Sequence, residues 1–324
     1  MRKMQFNKAQ VLKYLAWTFG LAYLVQIGAA YLYNNVNVLL GQIVVAAMMF
    51  VPALGVLLSG AGFREMGWKP RFKQNVKPIL TAWFAPVVLT AAGAALYFLV
   101  FPGHFDLSGQ YLTAAAGEEI LAQMEEQGIR YPVYALIITV AGVTYAPLIN
   151  TFVALGEEIG WRGFLYPQLK AKYGVNTGRV LGGVIWGAWH WPLIWLIGYE
   201  YGAAAANRAG YFGFPAVGML LFCVITVGWG ILHDWLYERS GSIWVPSLLH
   251  GTINAAATLP LALCVVDTGS ARLLGPAPMG ILAALPYLAC AAVLFIKAKK
   301  TAPASAASET PEPSAENVPE NAER

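Results

Sequence analysis

The chain has 324 residues, 58% of them hydrophobic and 12% charged, with a formal net charge of +4. Soluble domains carry roughly 25% charged residues, so this balance excludes an ordinary soluble globular protein. The small basic excess, scattered over short connecting segments, excludes a nucleic-acid module. Runs of about twenty apolar residues recurring along most of the length describe an all-α, polytopic transmembrane bundle.

A hydrocarbon core of about 30 Å needs roughly 20 residues per crossing helix. Eight stretches meet that requirement, near 11–33, 38–59, 79–101, 132–156, 178–198, 214–237, 243–263 and 278–297. The organisation expected is a cytoplasmic N-terminus over 1–10, a membrane domain over 11–297 and a disordered acidic tail over 298–324, rich in Ala, Pro, Ser, Glu and Asn. The first stretch is longer than a signal-peptide core and leads into further spans, so it is expected to be retained. The final Asn-Ala-Glu-Arg is not a prenylation box. Cys223, Cys264 and Cys290 stand far apart without a CxxC pair and read as small packing residues of the spans.

Basic residues bias a loop towards the cytoplasm. With eight spans and cytoplasmic termini, 18 of the lysines and arginines fall inside and only Arg130, Arg208 and Arg272 outside. The segment 102–131 then lies outside, with Glu118, Glu119, Glu125 and Glu126 among Leu112, Ile120, Leu121 and Met124. It is expected to form a short amphipathic surface helix with a structural role, substrate gating being the alternative.

Ionisable residues inside a membrane cost at least about 2.5–3.5 kcal/mol on insertion scales, so they need partners or a wet cavity. In chain order, the first such cluster is Glu157-Glu158-Ile159-Gly160-Trp161-Arg162. On one helix Glu158 and Arg162 share a face and can pair, while Glu157 is turned about 100° away. A carboxylate partly withdrawn from water beside a second one suits a general base; a capped, solvated helix end is the structural alternative. The second cluster is Trp186-Gly187-Ala188-Trp189-His190. A lone membrane histidine is as readily a packing residue, but the Trp191-Pro192 that follows is expected to free backbone carbonyls near it to line a cavity. His233-Asp234 reads as interfacial, near the end of its span. The third cluster places His250 and Asn254 four apart on one helical face, with Pro246 loosening the helix a turn earlier; interhelical polar glue is the alternative there.

Together these put a carboxylate pair, two histidines and an asparagine in three apolar stretches, an inventory suited to activating water. The chain has no HExxH, no GxSxG turn and no GxGD pair, the marks of other membrane peptidases.

At these residues the chain resembles the CPBP family of intramembrane proteases, the CAAX protease or Abi family, which includes the type II CAAX prenyl endopeptidases and is marked by EExxxR, FxxxH and HxxxN in order. Glu157, Glu158 and Arg162 match the first motif and His250 with Asn254 the third; His190 matches the second with Trp186 in place of phenylalanine. That exchange is expected to alter pocket shape more than chemistry. The resemblance covers about 145–265. It implies an intramembrane endopeptidase in which Glu157 deprotonates a water that His190 also holds, His250 and Asn254 stabilise the oxyanion, and Glu158 pairs with Arg162 to orient the segment. If zinc takes part, Glu157, His190 and His250 are the ligands it implies; the metal-free reading is preferred.

The partners expected are the lipid bilayer and a membrane-associated protein or peptide, prenylated or not, cut near the cytoplasmic face of a bacterial plasma membrane. The competing readings are a non-catalytic scaffold or immunity-type protein and a proton-coupled transporter. The transporter calls for an inverted internal repeat, which the two halves do not show.

Overall fold

Each of these apolar stretches is largely helical in the computed structural model, which describes residues 5–202 and 210–301. The tail expected over 298–324 therefore falls, past Thr301, outside the described residues. The helices in order are α1 (Lys8–Asn35), α2 (Val38–Met48), α3 (Val51–Leu58), α4 (Val76–Val100), α5 (Gln110–Ala116), α6 (Glu119–Glu126), α7 (Tyr131–Val143), α8 (Ala146–Gly160), α9 (Tyr166–Tyr173), α10 (Val175–Trp189), α11 (Trp191–Ile197), α12 (Ala216–Ser240), α13 (Trp244–Ala257) and α14 (Ile281–Thr301).

Eight spans were expected from the sequence. Among the described residues six helices are long and apolar enough to cross a membrane, taking α2 with α3 and α10 with α11 as continuous, and a seventh is formed only if α7 and α8–α9, bent by 51°, count as one. The stretch expected at 243–263 yields α13, whose 14 residues are fewer than the roughly 20 of a full crossing helix and are mostly buried, followed by the short turn Leu261–Leu263. Apolar composition alone cannot separate a short core helix from a span, since both lack a polar face. Pro246 falls in the first turn of α13, where a missing N–H costs nothing, so it starts the helix rather than loosening it.

Two breaks position the site. Between α8 and α9, Trp161–Leu165 form a π-turn in which the Tyr166 N–H reaches the Trp161 carbonyl. Pro167 has no N–H for the regular ladder into α9, and such wide turns frequently carry functional residues. Between α10 and α11 the break falls on His190, with Pro192 in the first turn of α11. The carbonyls it frees do not line the cavity as expected. Ala188 O accepts from the Tyr23 hydroxyl at 2.9 Å and Trp189 O from Gln26 Nε2 at 2.7 Å, which pins the break against α1.

Close packing brings these helices together. A Cβ on Gly183 of α10 would lie 2.4 Å from Val227 Cα of α12, and one on Gly251 of α13 would lie 2.5 Å from Thr151 N of α8. Small residues at crossings are how membrane helices gain contact without a hydrophobic drive between them.

The segment after α4 bears out an amphipathic reading, as two short helices rather than one. Met124 is buried, Leu112, Ile120 and Leu121 are half-buried, and Glu118, Glu119, Glu125 and Glu126 are exposed. Asp106 fixes its start by accepting from the backbone N–H groups of Gly109 and Gln110 at 3.0 and 3.1 Å. Burial pushes the Asp106 carboxyl up, but the Ser108 hydroxyl and the backbone donors of Gln110, Ser108 and Gly109 outweigh it and hold it below the usual range.

Candidate active site

Glu157 and Glu158 follow one another on α8 and are both buried, yet they face different neighbours. Glu157 Oε2 accepts two indole N–H bonds, from Trp161 at 2.9 Å and from Trp186 of α10 at 2.8 Å. That leaves Oε1 for the cavity, which Glu157 lines. Glu158 Oε1 accepts from Arg162 Nη1 at 2.9 Å and from His250 Nδ1 of α13 at 2.8 Å. The i, i+4 pair read from the sequence is thus formed, and its carboxylate also reaches across to the third motif.

Arg162 has no exposed surface, and its guanidinium lies 4.4 Å from the Trp186 ring centroid and 4.7 Å from that of Tyr166. It touches Glu158 through one nitrogen, while Nε and Nη2 have no hydrogen-bond partner among the described residues. The cation is held by aromatic faces rather than by a two-pronged carboxylate grip.

His190 Nδ1 lies 2.9 Å from the Trp186 carbonyl, which can only accept. The proton therefore sits on Nδ1, and in the neutral ring Nε2 offers a lone pair. Tyr199, stacked at 5.9 Å, and Phe222, edge-on at 4.9 Å, clamp the imidazole. Asn254 stands one turn beyond His250 on α13 and is half-buried. A cavity of about 420 Å³ is lined by Glu157, Trp186, His190, His250 and Asn254 together. Five residues from three helices, drawn from sequence positions nearly a hundred apart, meet at one void.

Trp186 does more than shape this pocket. A phenylalanine there would keep the ring but lose the N–H that Glu157 accepts, so the exchange changes the chemistry around the carboxylate. A second difference concerns His233 and Asp234, read as interfacial. Neither has any exposed surface. Asp234 bridges Lys170 and Arg179, both at 2.6 Å. His233 donates from Nδ1 to the Trp229 carbonyl at 2.7 Å and packs edge-on against His250, ring centroids 5.6 Å apart. Its one signal in the sequence is that it stands four residues after Trp229, as His190 stands four after Trp186.

Among the described residues, ligand atoms of Glu158, His233 and His250 lie within 4.8 Å of one another. This differs from the implied zinc set of Glu157, His190 and His250. The donor types suit zinc, but the surroundings do not. Arg162 already neutralises the Glu158 carboxylate at 2.9 Å, and the same Oε1 holds His250. A divalent ion would face a buried guanidinium, which opposes its charge.

Residues 139–256, which contain all three motifs, match the family model described as type II CAAX prenyl endopeptidase Rce1-like. A curated relative, CAAX prenyl protease 2 of Methanococcus maripaludis, is 29% identical over 99 residues, or 30% of this chain. The matched stretch spans about a third of that relative, 34% of its length. The matched segment, which carries the acidic pair, both motif histidines and the asparagine around one cavity, is similar to the type II CAAX prenyl endopeptidases of the CPBP family.

Proposed function

We propose that this protein is a membrane endopeptidase that hydrolyses a peptide bond of a membrane-associated protein or peptide by glutamate-activated water. The observation that carries this reading is the meeting of Glu157, His190, His250 and Asn254 at one cavity. Water held between Glu157 Oε1 and His190 Nε2 gives its proton to Glu157 as its oxygen attacks the scissile carbonyl carbon. The carbonyl oxygen, now negative, accepts from the Asn254 amide and is stabilised by His250, whose Nδ1 is held by Glu158. As the tetrahedral species collapses, the carbon–nitrogen bond breaks and Glu157 returns the proton to the departing amine. Every proton is accounted for by groups of this chain.

The site is expected in a multi-pass protein of the plasma membrane with the basic loops and both termini in the cytoplasm. The test is a comparison of new N-termini in membranes that contain or lack the protein. A fragment that requires the protein supports the reading, and identical sets of termini overturn it.

Two further outcomes follow from the geometry. Trp186→Phe keeps the ring but removes one of the two bonds that orient Glu157, so the rate constant for cleavage is expected to fall by between about 10-fold and about 150-fold, as a lost hydrogen bond to a charged group costs roughly 1.5–3 kcal/mol. Substrate affinity is expected to change little. A raised KM with unchanged kcat would show that Trp186 shapes the pocket only. Zinc chelation is expected to leave turnover unchanged, because Arg162 supplies the positive charge beside Glu158. Loss of activity restored by added zinc would overturn the metal-free mechanism.

A further inference from the structure

The residues around the cavity differ according to the end of the bundle they come from. Its floor is made by Glu157, Trp186 and His250, and its far wall by Tyr199, Thr268 and Pro276 in the connections after α11 and after α13. Tyr111 of α5 also lines it, from the same end. Hydrogen bonds tie this end together, between Tyr201 and the Met279 carbonyl at 3.1 Å and between Val265 N and the His104 carbonyl at 2.9 Å.

The opposite end is equally well defined. Ile243 N donates to Gly67 O at 3.1 Å, Asn75 Nδ2 to Ser240 O at 3.2 Å and Asn7 N to Gln168 Oε1 at 2.8 Å. None of the described residues in the connections 60–75, 161–174 or 241–243 lines the cavity.

Charge separates the two ends. Lys8, Arg64, Lys69, Arg71, Lys73, Lys172 and Arg239 belong to the end the cavity avoids. At the cavity's end the described basic residues are Arg130 and Arg272, against Asp106, Glu118, Glu119, Glu125, Glu126, Glu200 and Asp267. Positive charge near span ends selects the cytoplasmic side. The reaction site was expected to be served from the cytoplasmic face, since the carboxylates lie towards that end of the sequence's fourth span. The cavity leads the other way. On one side it also meets α2, where Gln42 and Ala46 both line it and are exposed on the bundle surface. That wall opens towards lipid.

We propose that the cavity opens to the extracytoplasmic half of the membrane, and that the polypeptide it takes is membrane-anchored, with its scissile segment in or just above the outer leaflet. The direction of the opening stands on the cavity and the charge distribution. Cutting rests on the endopeptidase reading.

Two readouts keep those parts separate. In the full-length protein with Cys223, Cys264 and Cys290 replaced by alanine, Ala115→Cys, exposed on α5, and Thr268→Cys at the rim report the cavity end, and Lys69→Cys reports the other. A membrane-impermeant sulfonated maleimide added to intact cells is expected to label the first two, and Lys69→Cys only after permeabilisation. The reverse pattern overturns the proposal, as does a Thr268→Cys that stays unreactive after permeabilisation. If the alanine background folds poorly, the same variants are read against the native one, in which Cys223 and Cys264 are buried. The second readout maps protein-dependent new termini onto their substrates. Sites in extracytoplasmic or outer-leaflet segments support the proposal. Sites confined to cytoplasmic segments overturn it and leave the endopeptidase standing, whereas no protein-dependent cleavage removes the endopeptidase and leaves the labelling result intact.

Discussion

Glu157→Gln is expected to slow formation of the protein-dependent fragment by between about 100-fold and about 10,000-fold, the usual contribution of a positioned general base, while folded yield stays at the wild-type level. The structure explains why the two effects separate. Glutamine keeps one oxygen, and that oxygen can still accept the indole N–H groups of Trp161 and Trp186, which now meet at Oε2. Its amide nitrogen then takes the place of Oε1 at the cavity and offers donors where the mechanism needs a proton acceptor. Size, packing and both indole bonds survive, and basicity is lost. The measurement is the initial rate of fragment release from matched amounts of variant and parent, with size-exclusion behaviour and thermal unfolding as the folding control. Parent-like rates in a well-folded variant would remove Glu157 as the base.

What the sequence disclosed and what it did not divide along physical lines. Composition and apolar runs reach the all-helical membrane class directly, because lipid forces backbone groups to be satisfied within each segment. They fail for α13, which is apolar for a different reason: its buried faces meet protein. The pairing of Glu158 with Arg162 was legible because it lies within one helix, where spacing determines proximity. The second partner of Glu158, His250, is 92 residues away, and no local rule predicts that contact. His233 was missed for a related reason. It lies within two turns of the C-terminus of α12, beside Asp234 and shortly before Glu238 and Arg239, which suggests water; only packing of α10 and α13 against α12 removes it from solvent. Trp186 was noticed as a departure from the usual phenylalanine, but the direction of its N–H is a rotamer property. The cavity's opening is less local still, since it depends on which loops from three separate connections share one end.

Breaking the Glu158–Arg162 pair from one side is expected to be more damaging than removing it from both. The side chains of both residues are fully buried, 2.9 Å apart, so Arg162→Met leaves a carboxylate without its main counter-charge. Loss of one member of such a pair costs about 3–5 kcal/mol, whereas exchange of both for well-packed uncharged groups is often neutral. Arg162→Met alone is therefore expected to give little folded protein, and Glu158→Gln with Arg162→Met to recover most of it, by size exclusion and thermal unfolding. Arg162→Lys lies between them: the guanidinium uses one nitrogen for Glu158, so a lysine can keep that contact but loses the planar group between Trp186 and Tyr166. Activity separates the structural and chemical parts. In the double variant the ionised carboxylate that fixes His250 Nδ1 is gone, so cleavage is expected to stay low, by roughly 100-fold or more if His250 acts as an oxyanion donor, although the fold has returned. A double variant that is both stable and fully active would show that the buried pair only holds the helix in place, and that His250 needs no orienting partner.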